Sequence, residues 1–305
     1  MGRVLGMDIG GTKSRARLSV DGVVIAETAT SSANPATVGL AEASRVLDTL
    51  LAQLPLETNG APLDAACVGA AGVIGASSEA TKMFARRLGP LVSESRVAVL
   101  PDVILVLPAA GLDRGVGLIC GTGSAALGCD GDLWVKTGGW GYLLGDEASG
   151  YWLFRQALRA LLRLNDRARP LGALGAALLA ATGTGTVDEL RGQFYRDPWP
   201  GKWAALATVV LASPDPLARS VLDEAGRELD VLVGVVLERL GNPTGLPLVL
   251  AGGLTSDRNF CEVATNYLSS SRPGSVVSVL REPPVAGAVR LAEHAAVGGG
   301  WPLVS

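Results

Sequence analysis

Residues 3–27 read RVLGMDIGGTKSRARLSVDGVVIAE, and this stretch decides the fold. Arg3 to Asp8 has the character of a strand and runs into Gly10-Gly11-Thr12. From Ser14 to Val20 polar and apolar residues alternate, Asp21-Gly22 follows, and Val23 to Glu27 continues the pattern. An Asp-Gly pair between two such runs is a strong hairpin signal, because both residues tolerate the positive φ of a tight hairpin turn. The chain therefore opens on three antiparallel strands.

Further along, Thr37 to Leu54 carries apolar residues at helical spacing, Asp64 to Ala71 reads as a buried strand, Ser78 to Leu88 as a helix and Arg96 to Leu100 as a strand. The same order then returns. Gly115 to Cys120 is a strand, Gly121-Thr122-Gly123 a glycine turn, Ser124 to Cys129 a strand, Asp130-Gly131 a hairpin turn, and Asp132 to Lys136 a strand. Helical patterns follow at Ala148 to Leu164, Trp203 to Leu211 and Pro216 to Leu240. A strand Leu246 to Leu250 ends in Ala251-Gly252-Gly253-Leu254, a helix starts from Ser256, a strand covers Ser275 to Leu280, and Val285 to Val297 closes the chain as a helix. A duplicated βββαβα unit is a rarer pattern than any single glycine motif. Asn165 to Lys202, rich in Gly, Arg, Pro and Trp, reads as the least regular stretch and as an insertion in the second unit.

Composition narrows the function. The 305 residues carry Lys+Arg 26 against Asp+Glu 29, with no blocks of either sign, which disfavours nucleic acid and anionic membranes as partners. The longest uncharged run, between Arg169 and Asp188, opens with Pro170 and is interrupted by glycines, so no membrane span is expected. The N-terminus enters a strand directly, without an export signal, and four scattered cysteines suit a reducing cytoplasm. With His294 as the sole histidine, in a late Ala-rich helical pattern, neither a zinc cluster nor a Ser-His-Asp site can be assembled.

Asp8-Ile9-Gly10-Gly11-Thr12-Lys13 differs from a dinucleotide fingerprint, which leads from a strand into a helix, because here the turn leads into another strand. One reading is an ordinary glycine hairpin with a satisfied aspartate. The other is a hairpin whose backbone packs against phosphate oxygens, with amides and the Thr12 hydroxyl as donors and Asp8 toward a magnesium ion. Gly121-Thr122-Gly123-Ser124 repeats the design, and two like hairpins can grip one polyphosphate. Leu250 to Leu254 is either a strand-to-helix turn or a place where small residues let a flat ring approach the backbone.

In the order DIGGTK, GTGSAA, LAGGL, the chain resembles the sugar kinase, actin and heat-shock chaperone superfamily, whose phosphate 1, phosphate 2 and adenosine motifs these are. Gly138-Gly139-Trp140-Gly141, followed by Gly145 to Trp152, is similar to the signature of the BadF/BadG/BcrA/BcrD-type and N-acetylglucosamine kinase group. Around Asn165 to Lys202, and in length and composition, the chain looks closest to the actinobacterial glucosamine kinases. The resemblance implies an α/β fold of two ribonuclease-H-like, actin-like ATPase domains around a nucleotide cleft, closing on sugar. The first domain would span 1–101, completed by the C-terminal helix 285–305, and the larger second 102–284, with the insertion near 165–202.

For chemistry, the resemblance implies ATP and Mg2+ as cofactors and an alcohol group of a hexosamine as acceptor. Asp8 would serve the metal; Gly10, Gly11, Thr12, Lys13, Gly121, Thr122, Gly123, Gly252 and Gly253 would hold the nucleotide. Asp102 is the candidate base, at the place where the family's catalytic aspartate follows the first domain's last strand; its ordinary role there is a helix N-cap. Asn34, Trp140, Asp146 and Glu147 are sugar candidates; in turn they are a turn residue before proline, a packing indole, and acids favoured at a helix start. Gly69 and Gly72 fit close packing under the site, and Lys13 is otherwise an exposed hairpin cation.

The expected reaction is phosphorylation of D-glucosamine to glucosamine 6-phosphate, with N-acetylglucosamine kinase as the alternative and a homodimer left open. A second class sharing the fold, ATPase activators of 2-hydroxyacyl-CoA dehydratases, holds an iron-sulfur cluster between subunits. Cys120 and Cys129, however, fall in strands, where free cysteine behaves as a small hydrophobe. A sugar-kinase-related repressor would need a helix-turn-helix before Arg3.

Overall fold

The computed structural model describes residues 2–56, 62–73, 78–92, 96–197 and 199–302. Among these described residues ten strands form two five-stranded sheets. They are β1 (Arg3–Ile9), β2 (Lys13–Val20), β3 (Val23–Ser31), β4 (Ala65–Ala70), β5 (Val97–Pro101), β6 (Gly115–Cys120), β7 (Ser124–Asp130), β8 (Leu133–Gly138), β9 (Leu248–Ala251) and β10 (Val277–Val279). The sheet orders are β3-β2-β1-β4-β5 and β10-β9-β6-β7-β8. Read from the β8 edge, the second order repeats the first role for role, so the duplication seen in the sequence is a duplication of topology. In the first sheet β1, β2 and β3 are antiparallel, whereas β4 and β5 run parallel to β1.

The chain divides into two compact units, one of Met1–Gly117, Leu127–Val135 and Leu280–Ser305, the other of Leu118–Ala126 and Lys136–Val279. In the first unit Leu5, Met7 and Ile9 of β1 alternate into one core with Val46, Leu47 and Leu50 of the helix Leu40–Ala52 and Phe84 of the helix Glu79–Leu88. The opposite face of β1 carries Gly6 and Asp8. Gly6 is required there by the helix Val285–Ala296, since a Cβ would fall 2.5 Å from the Val289 backbone nitrogen. The buried run Ala65–Ala70 has the character of a parallel strand covered on both faces.

The second unit departs from the sequence reading. Asn165 to Lys202 is not irregular: it holds the helices Gly172–Thr182 and Val187–Arg196, and the helix Pro200–Ala205 begins within it. Phe194 and Trp203 pack on Phe154 of the helix Gly150–Asp166, with ring centroids 5.8 and 5.0 Å away, and the Trp203 indole donates to the Asp197 carbonyl at 2.6 Å. Gly172–Thr182 is apolar all round, so no helical stripe marks it.

Other boundaries move for local reasons. Thr37 to Leu54 is broken at Gly39 (φ +81°), leaving Pro35–Val38 capped by Asn34 ahead of Leu40–Ala52. Trp203 to Leu211 is broken at Leu206, and the helix expected from Ser256 starts at Arg258 with Asp257 as its cap. Among the described residues no helix is long and apolar enough to cross a membrane.

Candidate active site

In the first unit the parallel strands β1, β4 and β5 end together, and open sheets place ligands at such carboxyl ends. Asp8 is paired across the sheet with Gly69, and Gly69 with Leu100, so the three stand in one row. Asp102 follows two residues later, as the first residue of a 3-10 turn, Asp102–Leu105. Pro101, not Asp102, occupies the cap position, and the Asp102 carboxylate accepts the Val103 amide at 2.9 Å. Gly69 makes this arrangement possible, because a Cβ there would collide with the Leu105 side chain, 2.5 Å from its Cγ.

The two acids sense each other. Asp8 is enclosed by protein on most sides, and its pKa rises from 3.8 to about 7, first through burial and then through the negative charge of Asp102, with Arg15 acting in the opposite direction. Beside it the first glycine hairpin closes with a bond from the Gly10 amide to the Lys13 carbonyl, 2.9 Å, while Thr12 and Lys13 stay exposed. Ser32 ties this hairpin to the chain ahead of Asn34, its hydroxyl donating to the Gly10 carbonyl and accepting the Asn34 amide. Asn34 is buried, and its Oδ1 accepts the Ala36 amide at 2.9 Å, leaving the amide nitrogen without a partner among the described residues.

The second unit gathers its own set. The hairpin after β6 closes with a Gly121 amide to Gly123 carbonyl bond of 2.9 Å, repeating the first. The helix Gly150–Asp166 docks on it, its Gly150 amide donating to the Gly121 carbonyl at 2.7 Å. Gly252 (φ +99°) packs on the end of β6, where a Cβ would come within 2.7 Å of the Cys120 carbonyl carbon, and a Cβ on Gly121 would be 3.7 Å from the Gly253 nitrogen. Gly121-Thr122-Gly123, half-buried, and Gly252-Gly253, exposed, thus form one surface of small residues.

Asp146, in the left-handed region (φ +57°), lays its carboxylate against Gly123. Burial raises its pKa, and the backbone amides of Ser124 and Gly141 aimed at it pull the other way. Ser124 Oγ also donates to the Glu147 carbonyl at 2.5 Å, and Ala148 (φ +63°) is a second left-handed residue in the same loop. Trp140 is 68% exposed, with the Lys136 ammonium 5.9 Å from its ring centroid.

Two charged groups here escaped the sequence reading. Lys136 lowers the Asp146 pKa, and Glu228, from the helix Pro216–Arg239, is raised by burial and by Glu147 and Glu224. Nothing local marks Glu228, which lies far along the chain from Glu147. Among the described residues no group of three or more His, Cys, Asp or Glu is arranged to hold a metal ion.

The family model of the BadF/BadG/BcrA/BcrD ATPases matches residues 5–291. The chain belongs to that family. As a BadF/BadG/BcrA/BcrD-type ATPase it is 28% identical over 302 residues to an N-acetylmuramic acid/N-acetylglucosamine kinase of Clostridium acetobutylicum, covering 95% of this chain and 97% of the relative. It also resembles a solved structure described as a putative N-acetylglucosamine kinase from Chromobacterium violaceum, with a TM-score of 0.73, 25% identity and 95% and 98% of the two chains covered. A protein described in the same words from Porphyromonas gingivalis matches in fold at TM-score 0.73, with 23% identity and 97% and 99% covered.

Within this family member three of the four cysteines are buried, and their thiols are pushed above the ordinary range. Cys120 and Cys129 are buried in β6 and β7, and burial pushes their pKa values up to about 12 and about 11. Cys67 is buried in β4 and its pKa rises further for the same reason.

Proposed function

We propose that this protein is an ATP-dependent hexosamine kinase that transfers the γ-phosphoryl group to the 6-hydroxyl of D-glucosamine. The observation that carries the reading is the Asp8–Asp102 pair, two acids close enough for one to raise the other's pKa, at the carboxyl ends of parallel strands beside a glycine hairpin. Asp102 accepts the proton of the attacking sugar hydroxyl, a role that general-base catalysis gives to a positioned carboxylate. Asp8 and Asp102 suit a divalent cation as donors, since a mutually repelling, oxygen-only pair is relieved by positive charge. Magnesium, when bound, neutralises charge on the transferred phosphates. In the first unit the amides of Gly11 and Thr12, and in the second those of Thr122 and Gly123, are donors for phosphate oxygens, the Gly10 and Gly121 amides closing the hairpins themselves, while in the second unit the small residues Gly252-Gly253 accept the adenine ring.

For the sugar, Asp146, Glu147 and Glu228 of the second unit set a negative field that favours a free 2-amine, with Trp140 beside them for the ring, and in the first unit Asn34 offers its side-chain amide to hydroxyls. The kinase reading is supported by the names of the relatives. Between acceptors those names favour a second reading, in which N-acetylglucosamine is phosphorylated, and the choice of glucosamine rests on the acids alone. Sugar-dependent release of ADP from ATP tests the proposal, and its absence with every hexosamine would refute it.

A further inference from the structure

The first unit holds a half-open cavity of about 590 Å3 that none of the residues discussed for catalysis lines. Its apolar walls include Leu291 and the indoles of Trp134 and Trp301, and Asp113, Asp132 and Cys129 also line it. The acids are close enough to act on one another's surroundings: after burial, the charges of Asp130, Asp113 and Asp132 are what raise the Cys129 thiol. Asp130 has its own cation, Arg114 at 3.3 Å. The Arg290 guanidinium at the cavity wall is committed to the Pro108 and Ala109 carbonyls, the latter at 2.8 Å. Asp113 and Asp132 thus line the same cavity as the two tryptophans, together with His294 and an arginine already held by backbone carbonyls.

One helix connects this cavity to Asp102. Val285–Ala296 supplies Arg290 and Leu291 to the wall, and two close contacts in its first half fix it in place. Gly287 packs where a Cβ would collide with the Leu105 carbonyl and approach the Ala109 nitrogen to 2.9 Å, and Val289 presses on Gly6 of β1. The helix cannot shift without displacing the Asp102–Leu105 turn, because close-packed backbone has no slack.

We propose that this cavity is an effector site for a small planar molecule bearing an amine, its ring on the indole and leucine walls, its ammonium toward Asp113 and Asp132, and its occupancy transmitted through Val285–Ala296 to the Asp102–Leu105 turn. Indoles favour a cation at the ring face as well as apolar contact, so wall and charge select the same ligand.

Tryptamine, indole and indole-3-acetate share one ring and differ in charge. Calorimetric titration of the full chain should show tryptamine binding about tenfold more tightly than indole, the separation expected from one charge-assisted contact, with indole-3-acetate weakest. Gly300 lines the cavity and a Cβ there meets nothing within 4 Å, so Gly300→Phe fills the space without strain and should weaken tryptamine about tenfold. Asp132→Lys, at an exposed turn, should reverse the order of tryptamine and indole-3-acetate. Saturating tryptamine should also slow amide hydrogen exchange across residues 103–107. Absence of tryptamine binding, equal binding by Gly300→Phe, or unchanged exchange at 103–107 would each overturn the proposal.

Discussion

The Asp146 carboxylate occupies the space that any side chain on Gly123 would need: a Cβ at position 123 would fall 2.6 Å from Asp146 Oδ2 and 3.0 Å from Cγ. The same carboxylate draws the Ser124 and Gly141 amides toward it. Glycine at the second hairpin thus serves the acid beside it as well as an approaching phosphate. Replacing it is an overpacking change of about 1–3 kcal/mol. Gly123→Ala is expected to weaken nucleotide binding about tenfold or more by isothermal titration, and unchanged affinity would make the hairpin merely structural.

Asp8 gives a pH signature. A carboxyl whose pKa rises from 3.8 to about 7 on folding holds its proton more tightly in the folded state. Folding stability therefore falls as pH climbs from the unfolded to the folded pKa and stays flat above it. Such a shift corresponds to about 4 kcal/mol at most, and partial contact with solvent reduces it to about 1–3 kcal/mol. Asp8→Asn should be more stable than the parent by that amount at pH 8 and equal to it near pH 4 in denaturant melts, while losing phosphoryl transfer.

The hairpins were legible because their signals are local: Asp21-Gly22, Gly10-Gly11 and Gly121-Thr122-Gly123 state their turns without reference to the rest of the chain, and Asp130-Gly131 does so to within one residue, since the turn falls on Gly131-Asp132. Asp8, Asp102 and Asp146 were legible as candidates through the order of motifs. What they touch was not. The reason for Gly123 is a carboxylate in another loop, the reason for Gly69 is Leu105, and Glu228 joins Glu147 only through the packing of a distant helix. The helix Gly172–Thr182 was hidden for a different cause, since uniform apolarity erases the period that marks a helix.

Gly69 tests how the Asp102 turn is held. Gly69→Ala should destabilise the fold by about 1–3 kcal/mol, since its Cβ would overlap Leu105 in a buried layer. Adding Leu105→Ala vacates that space, so the double variant should be more stable than the sum of its single changes, a coupling measurable by chemical denaturation. Strict additivity would contradict the contact.

Asp102→Asn keeps the shape of the side chain and removes the base. Turnover should fall about 10²-fold or more while nucleotide affinity survives. Because the neighbouring charge is gone, the Asp8 pKa should also drop, which carboxyl-resolved NMR titration can follow. Near-normal turnover would remove Asp102 from the chemistry.

Comparison of kcat/KM for glucosamine, N-acetylglucosamine and glucose under saturating ATP and magnesium, read as sugar-dependent ADP release, separates the acceptors. A single charge-assisted bond from the amine to an acid contributes roughly 1.5–3 kcal/mol, so glucosamine is expected to lead by about tenfold or more. Equal or better use of N-acetylglucosamine would contradict the assignment of glucosamine, and no sugar-dependent ADP release would contradict the kinase itself.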